Sequence, residues 1–295
     1  MPEAATRVMS GVTTRVGCAQ LALAVGDGPG NAAQIRLAVN RAADAGAKVI
    51  VLPELANTGY VFDDRRELAT LAEALDGPTV TEWLELARSL DVTIVGGIAE
   101  RGDDGRFYNS AVMADPGGLR ARYRKAHLWN TEKGLFTAGD ERPPVVATSF
   151  GRIAIMICYD VEFSEWVRDV ALRGADLLCL PVNWPLYPRP ATERPAEIVR
   201  VQAAASSNRM FIAAADRTAE ERGQDWLGGT VIVDADGFPT TALQLGRAGT
   251  VMADLPLADA RRKAISVGND VFTDRRPELY QAVVADGSQA RPGTA

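Results

Sequence analysis

Three residues that could support nucleophilic chemistry each follow a short strand-like run. Glu54 comes after Val-Ile-Val-Leu-Pro, Cys158 after Ile-Ala-Ile-Met-Ile, and Lys125 after Leu-Arg-Ala-Arg-Tyr-Arg. Proteins of the α/β class place functional groups at strand ends. Each residue also has a structural explanation. A free cysteine is often a core residue. A glutamate at a strand end is often a helix cap or a salt-bridge partner, and a lysine in a basic run is usually solvated. The three must therefore be judged together.

Together these residues suit attack on a carbonyl carbon. A thiol becomes a strong nucleophile only as a thiolate, and its ordinary pKa is about 8.5. Glu54 could take the thiol proton if a water-poor site raises its own pKa. Lys125 and the backbone N–H of Tyr159 could then stabilise the oxyanion. His127 is the single histidine, and we interpret it as a structural neighbour of Lys125 rather than a catalytic base.

Composition excludes several other classes of function. The 295 residues are 47% hydrophobic and 24% charged, with a net charge of -6. This balance is typical of a globular protein and argues against non-specific nucleic-acid binding. We find no apolar run long enough for a membrane helix and no secretory-signal pattern at the start. One histidine rules out a multi-histidine metal centre, and three cysteines do not form a disulfide framework. We expect a cytoplasmic enzyme without metal or cofactor.

Strand-like and helix-like segments alternate without an internal linker. We predict one α/β domain over residues 14–282, followed by a flexible tail over 283–295 that is rich in Gly, Ser and Pro. Asn31 is the predicted cap of the first helix. The predicted strands are 16–21, 49–52, 93–99, 107–113, 119–124, 153–157, 176–180, 211–215, 229–234 and 249–254, and the predicted helices are 31–45, 79–90, 165–173 and 196–208.

Longer motifs surround the three candidate residues. They are Leu-Pro-Glu-Leu with Thr-Gly-Tyr at 52–60, Tyr-Arg-Lys-Ala-His-Leu at 123–128, Glu-Lys-Gly-Leu-Phe at 132–136 and Ile-Cys-Tyr-Asp with Glu-Phe at 157–163. In this order they resemble the nitrilase (carbon–nitrogen hydrolase) superfamily, whose active site is a Glu–Lys–Cys triad. The resemblance implies a four-layer α-β-β-α sandwich, a homo-oligomer, and Glu54, Lys125 and Cys158 as catalytic residues. It also implies that Glu132 positions the substrate.

The residues around the cysteine bear on the substrate. True nitrilases typically have Cys-Trp-Glu, whereas this chain has Cys-Tyr-Asp, as many amidases do. Asp160 and Glu162 would repel a substrate carboxylate. We therefore predict hydrolysis of a small primary amide, neutral or amine-bearing, to acid and ammonia. An N-carbamoyl (ureide) hydrolase and an inactive binding scaffold of the same fold remain alternatives. The candidate substrate-binding residues, besides Glu132, are Tyr60, Tyr159, Asn183 and Trp184.

Overall fold

The computed structural model describes residues 11–280, and within them the chain forms two large sheets flanked by helices. The predicted tail over 283–295 lies outside this range. The strands are β1 Thr14–Gln20, β2 Val49–Val51, β3 Thr93–Arg101, β4 Phe107–Asp115, β5 Gly118–Arg124, β6 Val145–Ala147, β7 Arg152–Ile155, β8 Leu177–Pro181, β9 Phe211–Ala215, β10 Glu220–Glu221, β11 Gln224–Asp225, β12 Val231–Val233, β13 Gly249–Leu255, β14 Ala264–Ser266 and β15 Asn269–Asp270. The helices are α1 Gly28–Asp44, α2 Arg65–Leu71, α3 Pro78–Leu90, α4 Glu132–Leu135, α5 Ser164–Leu172 and α6 Ala196–Asn208, with 3₁₀ turns at Cys158–Glu162 and Leu257–Arg261.

The two large sheets each have a parallel centre. One has the order β13-β1-β2-β3-β4-β5, with β1, β2 and β3 parallel. The other has the order β12-β9-β8-β7-β6, with β7, β8 and β9 parallel. Glu54 lies three residues beyond the end of β2, and Cys158 three residues beyond the end of β7. Each side chain therefore follows the carboxyl end of a parallel strand, where α/β sheets build their sites.

The sheets pack face to face, and helices cover their outer faces. Strands β1, β2 and β3 contact β8 and β9, while α1 and α3 cover the first sheet and α6 covers the second. Alternation along β2 shows the reason. Val49 and Val51 belong to the core between the sheets, whereas Ile50 and Leu52 belong to the core under α1 and α3. Successive strand residues point to opposite faces, so a wholly apolar strand suits a sheet buried on both sides. This confirms the predicted four-layer sandwich.

Most predicted elements are present, and α6 and β9 match their predicted bounds to the residue. The prediction that Asn31 caps the first helix is wrong. The cap is Asp27, whose carboxylate accepts the Gly30 N–H at 3.0 Å. Asn31 lies inside α1, buried, and its amide group bonds both the N–H and the carbonyl of Ala24. No helix in the described part of the chain has the length and hydropathy needed to cross a membrane.

Gly97 on β3 positions Glu54 by its lack of a side chain. A Cβ atom at this position would lie 2.5 Å from the Cα of Glu54 and 2.5 Å from the nitrogen of Leu55. Two backbone bonds hold the strands at this approach: the Gly97 N–H donates to Pro53 at 3.0 Å, and its carbonyl accepts from Ala56 at 2.8 Å. Leu55 itself has a φ of 48°, so the turn that carries Glu54 has little freedom to move away.

We expect Gly97→Ala to lower stability by about 1–3 kcal/mol, the usual cost of overpacking a closely packed interior. It should also displace Glu54. Gly249→Ala is the matched control, because Gly249 also lies in a strand, at the start of β13, and a Cβ there meets nothing within 4 Å. Urea unfolding of both variants checks this. Equal stability of the two variants would contradict the steric role assigned to Gly97.

Candidate active site

A buried ion cluster joins three of the residues singled out from the sequence. The ammonium of Lys125 donates to Oε1 of Glu54 at 2.6 Å and to Oε1 of Glu132 at 2.8 Å. All three side chains are at most 1% exposed. An ammonium has three N–H donors, so two are used in these bonds and one is left for another acceptor. The second oxygen of Glu54, Oε2, is buried and has no hydrogen-bond partner among the described residues.

Neutral donors complete the cluster. The Asn109 side-chain amide donates to Oε1 of Glu54 at 2.7 Å and to Oε1 of Glu132 at 3.1 Å. The Tyr60 hydroxyl donates to Oε1 of Glu132 at 2.7 Å, and the Trp129 N–H donates to Oε2 at 2.8 Å. Buried charges are stable only when such bonds satisfy them. Asn109 was not predicted as a site residue. The one signal for it is a polar residue among the buried positions of β4.

Burial controls the acidity of these groups. It raises the pKa of Glu54 to about 7, with repulsion by Glu132 adding to the effect and Lys125 opposing it. Burial alone would lower the pKa of Lys125, but Glu132 and Glu54 outweigh it and the pKa lies well above its usual value. Burial, then the charge of Glu54, raises the pKa of the Cys158 thiol well above normal. Lys125 thus stays an ammonium, while Glu54 is suited to accept and release a proton near neutral pH.

Cys158 begins the 3₁₀ turn that follows β7 and has a φ of 44°. Left-handed backbone is uncommon for a residue with a side chain, and such strain concentrates at functional sites. The thiol is 8% exposed, whereas Cys18 and Cys179 are fully buried between the sheets. Its Sγ lies 3.7 Å from the carbonyl oxygen of Asn183. Among the three cysteines, Cys158 is the one that lines a cavity.

We call this space the Cys158 cavity; its volume is about 120 Å³. It contains three of the predicted substrate-binding residues, Tyr159, Asn183 and Trp184, but not Tyr60 or Glu132, which bond each other and belong to the buried cluster. Both amide atoms of Asn183 are buried without a partner among the described residues. The lining residues are Trp129, Cys158, Tyr159, Glu162, Asn183, Trp184, Pro185, Tyr187, Glu197 and Arg200.

Asp160 does not line this cavity, whereas Glu162 does. The prediction that both carboxylates repel a substrate carboxylate at close range is therefore wrong for Asp160. The carboxylate is fully buried and accepts from the Tyr123 hydroxyl at 2.9 Å and from the N–H of Ile157 at 3.2 Å. Its other oxygen lies 3.1 Å from the backbone nitrogen and 2.7 Å from Nδ1 of His127. Asp160 therefore joins the turn that carries Cys158 to the segment that carries Lys125. The structure places His127 as a support in this link.

A second buried ion pair, absent from the predictions, holds the loop that carries Tyr60. Arg217 is fully buried and bonds both oxygens of Glu221, at 2.8 and 3.1 Å. Glu221 in turn accepts the N–H groups of Tyr60 and Val61 at 3.0 and 2.8 Å. The ring of Trp226 packs edge-on against Tyr60, with centroids 5.2 Å apart. These contacts fix the direction from which the Tyr60 hydroxyl reaches Glu132.

The chemistry available here comes from side chains. Among residues 11–280 there is no group of three or more His, Cys, Asp or Glu side chains arranged to hold a metal ion. The site offers a thiol that lines a cavity, a carboxylate with a pKa of about 7, and an ammonium whose pKa lies well above its usual value. This set can transfer an acyl group to sulfur.

We expect Asp160→Asn to slow alkylation of Cys158 by iodoacetamide about tenfold, because an amide cannot accept all the bonds that orient the turn. Asp176→Asn is the matched control. Asp176 is another buried carboxylate, but it binds Arg152 N and Arg261 at the start of β8. Mass spectrometry of the labelled peptides measures the rate over pH 6–9. Equal rates in the two folded variants would show that Asp160 supports only the fold.

Comparisons with known proteins identify the family to which the chain belongs. The carbon–nitrogen hydrolase family matches residues 15–264. A nitrilase from Pyrococcus abyssi is 36% identical over 245 residues, covering 82% of this chain and 89% of that protein. An amidase from Nesterenkonia has a similar structure, with 26% identity, a TM-score of 0.76 and coverage of 95% of this chain and 100% of that one. A mutant of that amidase (26% identity, TM-score 0.75, covering 94% and 99%) shows covalent addition of the acetamide moiety of fluoroacetamide at its active site cysteine. The chain therefore belongs to the carbon–nitrogen hydrolase (nitrilase) superfamily and is an enzyme that hydrolyses carbon–nitrogen bonds.

Proposed function

We propose that the protein hydrolyses small primary amides, neutral or amine-bearing, to carboxylic acid and ammonia through a thioester on Cys158. The observation that carries this proposal is the position of Cys158. Its thiol lines a small cavity. The buried cluster of Glu54, Lys125 and Glu132 does not line that cavity, but its charges alter the pKa of the Cys158 thiol. Glu54, Lys125 and Cys158 are the proposed catalytic residues, and Tyr159, Asn183 and Trp184 are proposed to contact substrate.

Acylation uses Glu54 first as a base and then as an acid. The thiol proton moves to Glu54, and the sulfur forms a bond to the amide carbon. Negative charge develops on the carbonyl oxygen, where the third N–H of Lys125 and the N–H of Tyr159 are the proposed donors. Glu54 then gives its proton to the amide nitrogen, the carbon–nitrogen bond breaks, and ammonia leaves. A carboxylate with a pKa of about 7 is suited to both transfers.

Deacylation repeats the sequence with water. Glu54 takes a proton from water as its oxygen attacks the thioester carbon, and Lys125 again stabilises the oxyanion. The carbon–sulfur bond breaks, the acid is released, and the proton returns from Glu54 to the sulfur. Glu132 does not transfer a proton in this scheme. It accepts from Lys125 at 2.8 Å, and its charge helps to raise the pKa of Lys125. Tyr60 and Asn109 donate to Glu132 and so stabilise its negative charge.

Two features support a short primary amide. The cavity of about 120 Å³ suits a small acyl group beyond the sulfur. The acetamide moiety found on the cysteine of the Nesterenkonia amidase is of that size class. We further propose that the enzyme acts in the cytoplasm, where unpaired thiols persist, and as a homo-oligomer. Exposed Leu172 on α5 and Val199 on α6 are compatible with a covered helical face.

The decisive experiment is trapping of the acyl group. With a primary amide and hydroxylamine the wild-type protein should form the hydroxamate, and intact-mass analysis should show the acyl adduct on Cys158. Cys158→Ala should abolish both, whereas Cys179→Ala, in the inter-sheet core, should retain both. An active Cys158→Ala protein would refute the mechanism. Release of carbon dioxide with ammonia would identify the ureide alternative, and ammonia released only from nitriles would exclude an amidase.

The pH dependence follows from Glu54. Only its carboxylate form accepts the thiol proton, so kcat/KM should rise with pH and level off above about 7, the pKa that burial imposes. Glu54→Gln should lower kcat by about 10²–10⁴-fold, the usual contribution of a general base. Glu165→Gln, an exposed site on α5, is the control. If kcat/KM of Glu54→Gln still rose with pH up to about 7, the titration would belong to a group other than Glu54.

The titration of Glu54 should also change the folding stability, but in the opposite direction: activity rises with pH, whereas the contribution of Glu54 to stability falls. The native pKa of Glu54 lies above its unfolded value of about 4.5, so between these values the native state binds more protons. Its contribution to the free energy of unfolding therefore falls as pH rises from about 4.5 to 7. Urea unfolding of the wild-type protein and of Glu54→Gln measures this effect across the same pH range. The free energy of unfolding should decline less steeply with pH in the variant. Parallel curves would contradict the raised pKa.

A further inference from the structure

The mouth of the Cys158 cavity carries an unbalanced charge. Among the described residues that line it, the charged ones are Glu162, Glu197 and Arg200. Glu162 lies four residues after Cys158, at the end of the same 3₁₀ turn, and the other two lie on the first turns of α6. Two carboxylates share one guanidinium, which leaves a net charge of -1 beside the nucleophile.

The guanidinium satisfies neither carboxylate well. Arg200 lies 3.3 Å from Glu162 and 3.8 Å from Glu197, whereas charge-assisted bonds are usually about 2.7–2.9 Å. The side chains of Glu162 and Glu197 are 28% and 15% exposed, and that of Arg200 is 44% exposed. Burial raises the pKa of Glu162, and repulsion by Glu197 adds to this effect while Arg200 opposes it. A second cation would relieve this repulsion.

The remaining walls suit such a cation. Trp129, Tyr159, Trp184 and Tyr187 all line the cavity, and the rings of Trp129 and Tyr159 meet edge to face with centroids 4.8 Å apart. Aromatic faces attract ammonium groups, most strongly where water is partly excluded. A substrate carboxylate in the same place would be repelled by Glu162 and Glu197. It could bind Arg200 only by drawing the guanidinium away from both of them. An alkyl end would fill the space but leave the acidic pair uncompensated.

We propose that this mouth is a subsite for a protonated amine, so that the preferred substrates are ω-amino amides: primary amides with a primary ammonium at the far end of a short alkyl chain. The proposal rests on the amidase activity proposed above. Cys158 takes the amide carbon, the alkyl chain lies between the aromatic side chains, and the ammonium binds Glu162 and Glu197. No other reactant is required, because recognition at this end changes no bond.

The test compares amides of matched length that differ at one end. Ammonia release is measured for 4-aminobutanamide, pentanamide and succinamate, and for homologues one and two carbons longer, at pH 8, where a primary amine is protonated. The wild-type protein should show a kcat/KM for one member of the amino series at least about tenfold above its neutral match, with the acidic amide lowest. A neutral or acidic amide preferred at every length would overturn the subsite.

Variants assign the preference to residues. Glu162→Gln and Glu197→Gln should each lower the ratio of amino to neutral amide, and the double variant should bring it close to one. Arg200→Gln removes the competing cation and should raise the ratio. Glu165→Gln is the control, since Glu165 is an exposed carboxylate on α5 that does not line the cavity. A ratio that both Gln substitutions leave unchanged would refute the subsite.

The salt dependence of the wild-type ratio is a second test of the subsite. If the double variant fails to fold, the salt dependence of the wild-type ratio replaces it: raising ionic strength should reduce a preference that arises from partly exposed charges, and a salt-independent ratio would count against the subsite. Hydrolysis of neutral amides without an amino preference would sink this proposal alone. Failure to hydrolyse any amide, with no hydroxamate formed, would sink the proposed function and the subsite with it.

Discussion

The buried ion cluster of Glu54, Lys125 and Glu132 imposes the main constraint on this structure. Removing charges from water costs several kcal/mol per ion, and this is offset only when geometry and hydrogen bonds are nearly complete. The two carboxylates flank one ammonium at 2.6 and 2.8 Å. Asn109 from β4, Tyr60 from the loop after β2 and the backbone N–H of Trp129 supply further donors. The cluster therefore requires several separate segments to meet at one point.

The supporting contacts are explained by this requirement. Gly97 lets the backbone of Glu54 lie against β3, and the pair of Arg217 and Glu221 holds the backbone of Tyr60. Asp160 connects the Cys158 turn to His127, two residues beyond Lys125. Each contact crosses between segments that are far apart in the chain. Since a shift of about 1 Å can greatly reduce catalysis, the proposed mechanism requires such contacts, as the stability of the cluster does.

The sequence indicated the candidate catalytic residues more clearly than the residues that position them. Glu54 and Cys158 are recognisable because a reactive side chain follows a short apolar strand. Asn109 gives no comparable signal, since its role depends on the register that brings Lys125 N–H to its carbonyl at 2.8 Å. Asp160 was assigned to the cavity because it is close in sequence to the cysteine, but the 3₁₀ turn directs it inward. Arg217, a charged residue just past β9, gave no indication of complete burial, because its partner Glu221 lies in the short strand β10 that follows.

The scarcity of histidine also has a consequence for the nucleophile. A thiol paired with an imidazolium has a lowered pKa and rests as the thiolate, but here burial and the charge of Glu54 raise the pKa of Cys158. The resting state is therefore a neutral thiol, and the proposed acceptor of its proton, Glu54, has a pKa of about 7. In the proposed mechanism, proton transfer becomes favourable when a carbonyl in the cavity takes up the charge, because Lys125 is the proposed donor to the resulting oxyanion. Under the proposed mechanism, such a site favours electrophiles that fit the cavity, and the rate depends more on the position of the amide carbon than on the acidity of the thiol.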